Sequence, residues 1–560
     1  MHMFEHEEDG DDNGRNAQAK TAALPPQKPE APEAQLAGNG QVAVNLDRKY
    51  TASLHDATTL PDTADYDYII IGGGTAGCPL AATLSQRFKV LVLERGGNNE
   101  DYPETTTQDG FIQIIGDANH GELNSPAQHF TSVEGIPNLR GRVLGGSSSV
   151  NAGFYSRAQP AFFDAGTAVG IQWDMGLVNA SYEWVERMVV HQPKLNDWQT
   201  AAKESLLGAS MTPFNGFSVD HLAGTKIGGT IFGPDGRRRS AAQLLAYSNM
   251  ENLTVALYAT VEKIIFEFPK GGSKKPLAKG VLYRDSLGRP HNASLHPEGE
   301  VILSAGALGS PQILLLSGIG SPYFLSPLNI PLIVDQPSVG QFLADNPRSG
   351  VTIASPVPVP TSLIQVVGIS KSSDYFIEAS TTNIALPPRF FAVSPGLNVT
   401  LATLLEKVAG PNSTGSLWLS STNVHDNPIV QFNYFSSPVD MQRCVAGMRK
   451  IAEMLKSPEM EQFKFPGALG GKEFRYVGPQ MVCNEAEDSQ LESLCRSTLS
   501  TIWHYHGGCL VGKVVDPEYR VMGVDSLRVV DGSTFSLSPG TNPQATVMML
   551  GRYDIIQLLF

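Results

Sequence analysis

Three glycines at fixed spacing constrain this chain more than any other feature. Tyr68-Ile69-Ile70-Ile71 is a short continuous apolar run, as expected of a strand buried on both faces. Gly72, Gly74 and Gly77 follow at G-x-G-x-x-G spacing. Gly72 suits a tight turn, Gly74 lets the backbone approach a pyrophosphate, and Gly77 lets a helix pack close to the strand. Thr75 lies inside the loop, and Ala76, Leu80 and Leu84 fall on one face of the helix that follows. Pro79 sits in its first turn, where a missing N–H costs little. The helix N-terminus offers unpaired N–H groups and a positive dipole end to phosphate. Val90-Leu91-Val92-Leu93 reads as a second parallel strand, closed by Glu94. An acid about 20 residues past the glycines accepts from ribose hydroxyls and disfavours a 2′-phosphate. A lone glycine motif is weak evidence. The ordered set of strand, glycines, helix, strand and acid points to an adenine dinucleotide, without separating FAD from NAD.

The rest of the chain narrows the class. Its 560 residues suggest roughly two to four domains. With 41% hydrophobic and 17% charged residues it reads as an ordinary globular protein. A net charge of −14 disfavours a nucleic-acid partner, which needs clustered Lys and Arg. The longest uncharged run, Val301 to Val334, contains Pro311, Pro322, Pro327 and Pro331. Those breakers argue against a spanning helix and for a buried strand followed by a buried helix, so no stable membrane insertion is expected. Cys78, Cys444, Cys483, Cys495 and Cys509 show no zinc-ligand spacing, and no metal site is expected. Asn179, Asn252, Asn292, Asn398 and Asn412 open N-x-[ST] sequons, which lean towards a secreted glycoprotein.

Residues 1–60 are acidic, then rich in Pro, Ala, Glu and Gln. Such a stretch buries too little apolar area to offset its ordering entropy and is expected to be a disordered leader. It has no apolar stretch of the kind a secretory signal needs. From Asp65 onward strand-rich and helix-rich patterns alternate, which predicts α/β plus α+β architecture. Dinucleotide-domain patterns occupy 65–97 and 254–320, and the C-terminal stretch carries further motifs.

Four motifs in order then resemble the glucose–methanol–choline (GMC) family of FAD oxidoreductases, over nearly all of residues 60–555. The first runs from Asp67 to Glu94. The second is Gly141-Arg142-Val143-Leu144-Gly145-Gly146-Ser147-Ser148, followed by Asn151-Ala152-Gly153. The third is Gly306-Ala307-Leu308-Gly309-Ser310-Pro311, running on to Ser317-Gly318-Ile319-Gly320. The fourth is Trp503-His504-Tyr505-His506-Gly507-Gly508, with Asp531-Gly532 and Thr541-Asn542-Pro543-Gln544. Within the family the chain looks similar to plant mandelonitrile lyases and the Hothead-type branch.

The resemblance implies a Rossmann-like FAD-binding domain, over 61–155, 251–345 and 491–560. It implies an interleaved substrate domain on an antiparallel sheet, over 156–250 and 346–490. It places FAD contacts at Gly72, Gly74, Thr75, Gly77, Glu94, Arg95, Val143, Ser147, Asn151, Ala152, Gly153, Phe154, Val261, Trp503, His504, Gly532, Asn542 and Pro543. It also implies a Cys444–Cys495 disulfide and, from the plant relatives, secretion.

Alcohol oxidation needs removal of the hydroxyl proton and transfer of the α-hydride to the flavin. A neutral imidazole suits the proton transfer, and His504 matches the family's catalytic position. His506, two residues on, points the same way if the segment is extended, and stays open as an alternative. Asn542 allows two readings. Asn-Pro-Gln is a good helix start, with Asn as N-cap and Pro at N1. Alternatively, Asn542 hydrogen-bonds the substrate oxygen opposite His504, its backbone held extended by Pro543. The lyases resemble this chain but carry a second His where Asn542 stands, a Tyr where Ile502 stands, and a Cys near Glu378. The expected activity is therefore FAD-dependent oxidation of CH–OH donors, aromatic or long-chain alcohols. A hydroxynitrile lyase is the first alternative, and a non-catalytic flavin-stabilised structural protein the second.

Overall fold

The computed structural model describes residues 49–116, 125–268, 275–381, 400–467, 470–481 and 487–559. The β-branched and aliphatic runs of the nucleotide half build an eight-stranded sheet. Its order is Leu54–Asp56, Leu253–Leu257, Val90–Leu93, Thr63–Ile71, Pro290–Leu303, Leu277–Arg284 and Thr260–Glu267, with Leu527–Val529 also paired to Pro290–Leu303. The first five strands are parallel, and the next two continue antiparallel. Ile69, Ile70, Ile71 and the whole of Val90–Leu93 are buried, as central parallel strands require. The uncharged run becomes the end of strand Pro290–Leu303 and helix Gly306–Leu316, buried from Ala307 to Leu315. Among the described residues no helix is long and apolar enough to cross a membrane.

Helix Gly77–Leu84 is buried along its entire length, with the terminal helix Gln544–Leu559 and the 3-10 segment Ala241–Tyr247 packed against it. A Cβ at Gly551 would come within 2.3 Å of the Ala76 carbonyl oxygen, so only hydrogen allows that approach.

A second sheet runs Arg475–Tyr476, Pro347–Ser355, Thr400–Val408, Tyr375–Ser380, Val366–Ile369, Gly224–Ile227 and Phe214–Phe217. It is antiparallel except for its last pair. Helices Asp197–Gly208, Pro438–Leu455 and Asp488–Thr498 contribute to the core beneath it. Cys444 and Cys495 join the last two helices by a disulfide.

Packing departs from the sequence boundaries in three places. Residues 49–60 are not part of an unstructured leader. Lys49–Ser53 forms a 3-10 turn, Leu54–Asp56 pairs with Leu253–Leu257, and Tyr50 is fully buried. Composition averaged over sixty residues hides one buried aromatic and one edge strand. Residues 1–48 lie outside the described residues. Helices Pro160–Ala168 and Met175–Val189 pack through Phe162, Val178, Tyr182 and Trp184 into the core of the first sheet. Strand Ser500–Thr501, assigned by sequence to the nucleotide half, pairs with Pro347–Ser355 of the second sheet. Periodicity identifies an element but not the sheet it covers.

Candidate active site

The glycine loop has the geometry its spacing demands. Gly72 has φ +103°, and a Cβ there would meet the Ser304 carbonyl oxygen at 2.6 Å. A Cβ at Gly77 would lie 2.0 Å from the Gly72 carbonyl oxygen. Glu94 ends strand Val90–Leu93 and turns back onto this loop. Its Oε2 accepts from Gly73 N at 3.0 Å and its Oε1 from Gly96 N at 2.8 Å.

The other motifs converge on the same place. Gly145 N donates to Gly73 O, and a Cβ on Gly146 would sit 2.7 Å from the Gly74 Cα. Asn151 Nδ2 donates to Gln544 Oε1, while its Oδ1 accepts from Gly153 N and from Arg238. Asp531 Oδ2 accepts from Gly306 N at 2.9 Å and from Ser310 Oγ, which ties the third motif to the fourth.

Together they wall one cavity, about 1780 Å³ counting the open solvent at its mouth. Every residue expected to contact the cofactor borders it except two. Gly77 lies beneath Gly72, inside the first helical turn. Val143 is fully buried with Ile114, Ala127, Leu139 and Val150. Motif position alone could not tell a lining residue from one that supports the lining. Sequence reasoning missed Arg140, Phe111, Arg348 and Ile364, which also border the cavity. Arg140 directly precedes the second motif, a signal that was available. Arg348 and Ile364 come from weakly patterned sequence.

Elsewhere on the wall, Trp503 adopts φ +60° and turns the chain out of strand Ser500–Thr501. The next residue, His504, is 7% exposed. Its backbone N donates to Asp345 Oδ1 at 2.8 Å, while Asp345 Oδ2 accepts from Thr501 Oγ1 and Tyr434 Oη. Burial raises the Asp345 carboxyl to about 6. The three donors to it nonetheless favour the anion at neutral pH. His504 Nε2 lies 3.3 Å from Asn542 Nδ2. Burial, followed by the charges of Lys407 and Arg348, holds the imidazole well below its usual pKa, so it is neutral.

Asn542 does not cap the terminal helix. Its Oδ1 is buried without a hydrogen-bond partner, and its amide faces His504. His504 Nδ1 and Trp503 Nε1 are likewise buried and unpartnered. His506 is set apart: its Nδ1 meets the His504 carbonyl oxygen at 3.0 Å, its backbone pairs with Ala344, and it does not border the cavity. Ile502 does border it. Glu378 does not; it is buried against Lys407 Nζ at 3.0 Å, and Lys407 also reaches Thr541 O at 3.5 Å.

Two family models, each described as GMC oxidoreductase, match residues 66–348 and 411–551. The chain belongs to the GMC oxidoreductase family. It is 51% identical to an (R)-mandelonitrile lyase-like protein of Arabidopsis thaliana, over 93% of this chain and 94% of that protein. It is 45% identical to the sinalpyl alcohol oxidase Nec3 of Nesocodon mauritianus, over 90% of each. A crystal structure of formate oxidase shares the fold at TM-score 0.74 and 21% identity, covering 89% of this chain and 99% of that one. As a member of this family the protein is a flavoenzyme, and its cofactor is FAD. The cavity fits that group. Gly306 leaves open space where a Cβ would project, a Cβ at Gly74 would meet nothing nearer than 3.7 Å, and buried polar atoms on Trp503, His504 and Asn542 have no partner. Glu94 and the His504–Asn542 pair both border the cavity. Among the described residues no cluster of His, Cys, Asp or Glu could hold a metal.

Proposed function

We propose that the protein oxidises the CH–OH group of an alcohol, with His504 as the base and Asn542 as the partner of the substrate oxygen. The observation that carries this is the His504–Asn542 pair, 3.3 Å apart, buried and facing the cavity with polar valences unfilled. When bound, FAD supplies the hydride acceptor. A neutral His504 is ready to take the hydroxyl proton through Nε2. Asn542 then orients the oxygen by hydrogen bonding and keeps it in register with the imidazole. Lys407 and Arg348 disfavour the imidazolium, so His504 starts each turnover as a base. Ile502, Ile364, Phe111 and Phe154 border the same cavity and exclude water, which supports an aromatic or long-chain apolar donor.

The test is anaerobic bleaching of the flavin band with a panel of aromatic and long-chain alcohols. Bleaching by at least one donor, abolished in His504→Ala, is expected. A flavin-loaded wild type that no donor bleaches would sink the proposal. The 51% likeness to a lyase-like protein favours hydroxynitrile cleavage as a second reading. Cyanide release from mandelonitrile measures it. Little is expected, because Asn542 cannot act as the second cationic acceptor that a His would provide. Asn542→His should raise that activity.

The Cys444–Cys495 disulfide and the exposed sequon residues Asn179, Asn292 and Asn412 support a secreted glycoprotein. Asn398 lies outside the described residues. Glycosidase-sensitive mobility of the protein from its native source tests this.

A further inference from the structure

Arg140 is a poorly satisfied charged group on the cavity wall. It is 7% exposed, and no carboxylate pairs with it among the described residues. Its hydrogen bonds are two long ones from Nη2, at 3.4 Å each, to the neutral side-chain oxygens of Gln312 and Asn427. Its Nε is buried with no partner at all. Burial works first against its charge, and the positive charges of Arg95 and Arg142 add to that. A guanidinium does not deprotonate in a protein, so the conflict is not relieved by losing a proton. A buried, unpaired cation costs several kcal/mol in general, and an anion that enters the site relieves that cost.

Location identifies the anion. Arg140 is joined through Gly141 to the segment that touches the glycine loop. Gly141 N donates to Ser147 Oγ, and Gly146 abuts Gly74. Its Nη1 lies 3.9 Å from where a Cβ of Gly309 would stand, in the first turns of helix Gly306–Leu316. Among the groups that act on its charge, Arg95 directly follows Glu94 and Arg142 belongs to the second motif, while Tyr505, next to His504, acts in the opposite sense. Glu94 makes no ion pair with the guanidinium; its oxygens accept from the backbone N–H groups of Gly73 and Gly96. We infer that Arg140 is a cofactor-binding residue, which clamps the dianionic diphosphate of FAD from the side opposite the glycine loop. This rests on the cofactor alone and stands whichever reaction the pocket performs.

Flavin release from the holoprotein tests it, followed as the rise in flavin fluorescence on dilution. Arg140→Gln is expected to release FAD about tenfold faster or more, the usual effect of deleting a charged hydrogen-bond donor. Release should also depend less on ionic strength, because one screened attraction is gone. Arg140→Lys keeps the charge and recovers part of the retention. Asn427→Asp offers Arg140 an internal carboxylate and should also speed release. Release from Arg140→Gln indistinguishable from wild type, with the same salt dependence, would overturn the assignment. So would unchanged FAD retention combined with a raised KM for a carboxylate-bearing donor, which would make Arg140 a substrate contact. If Arg140→Gln does not fold, unchanged release in both Arg140→Lys and Asn427→Asp overturns it equally.

Discussion

Two regions of the cavity wall, around Glu94 and around His504, are built by different means. The region around Glu94 is framed by one stretch of sequence, mostly through backbone, with Gly145, Gly146 and Ser304 packed against it. Gly72, Gly73, Gly77 and Glu94 form it within one strand–helix–strand unit. The region around His504 is made by side chains from distant segments. Asp345 holds the His504 backbone, Lys407 reaches the carbonyl of Thr541, and Arg348 lies 5.0 Å from the Trp503 ring. A backbone cradle fails by steric clash, so its mutations should act on folding and flavin loading. A side-chain constellation fails by loss of chemistry or of charge balance, so its mutations should act on rate.

The sharpest contrast comes from one change in each region. Gly77→Val places atoms onto the Gly72 carbonyl, where even a Cβ would stand at 2.0 Å. It should abolish recovery of folded, flavin-loaded protein, measured as the ratio of flavin to protein absorbance. His504→Ala should leave that ratio intact and lower the rate of anaerobic flavin reduction by roughly 10²–10⁴. Equal flavin loss in both variants would break the comparison.

Next in size is the buried ion pair behind Asn542. Lys407 and Glu378 are both fully buried. Lys407→Met leaves a lone carboxylate and should cost about 3–5 kcal/mol in chemical denaturation, whereas Lys407→Met with Glu378→Leu should cost clearly less. If the double variant is no better than the single, the pair is not acting as a unit.

Asn542→Ala should reduce flavin reduction by about tenfold to a hundredfold with loading unchanged, the cost of one misaligned hydrogen-bond partner. A drop in thermal stability with no change in rate would return Asn542 to the role of a helix cap.

The smallest effect is in pH. Protonation disables His504 as a base, and its pKa is held well below 6.5. The acid limb of the flavin-reduction rate should therefore fall below pH 6.5. Removing the Lys407 charge in the double variant raises the His504 pKa and should move that limb upward. A limb that does not move would show that burial alone sets the imidazole.

Local chemistry made one region readable in advance. Glycine spacing, a buried strand and a terminal acid are each local, and together they specified a dinucleotide fold, the loop and the role of each glycine. The same logic reached His504 and Asn542 only through motif likeness, and it left His506 and the capping role of Asn542 open. Whether His504 or His506 faces the cavity depends on the positive φ at Trp503 and on the pairing of His506 with Ala344, some 160 residues upstream. Asn542 could not be freed from a capping role until its amide was seen against His504.

The sequence by itself determined the adenine-dinucleotide unit, because backbone conformation and strand burial follow from neighbouring residues. Only the tertiary structure decided which groups surround the imidazole and which cation stands unpaired on the wall. Lys407 and Arg348 come from segments with no periodic or motif signal of their own, and Arg140 stands just outside the second motif. Their charge acquires meaning only when burial removes water and places them beside a partner, or leaves them without one.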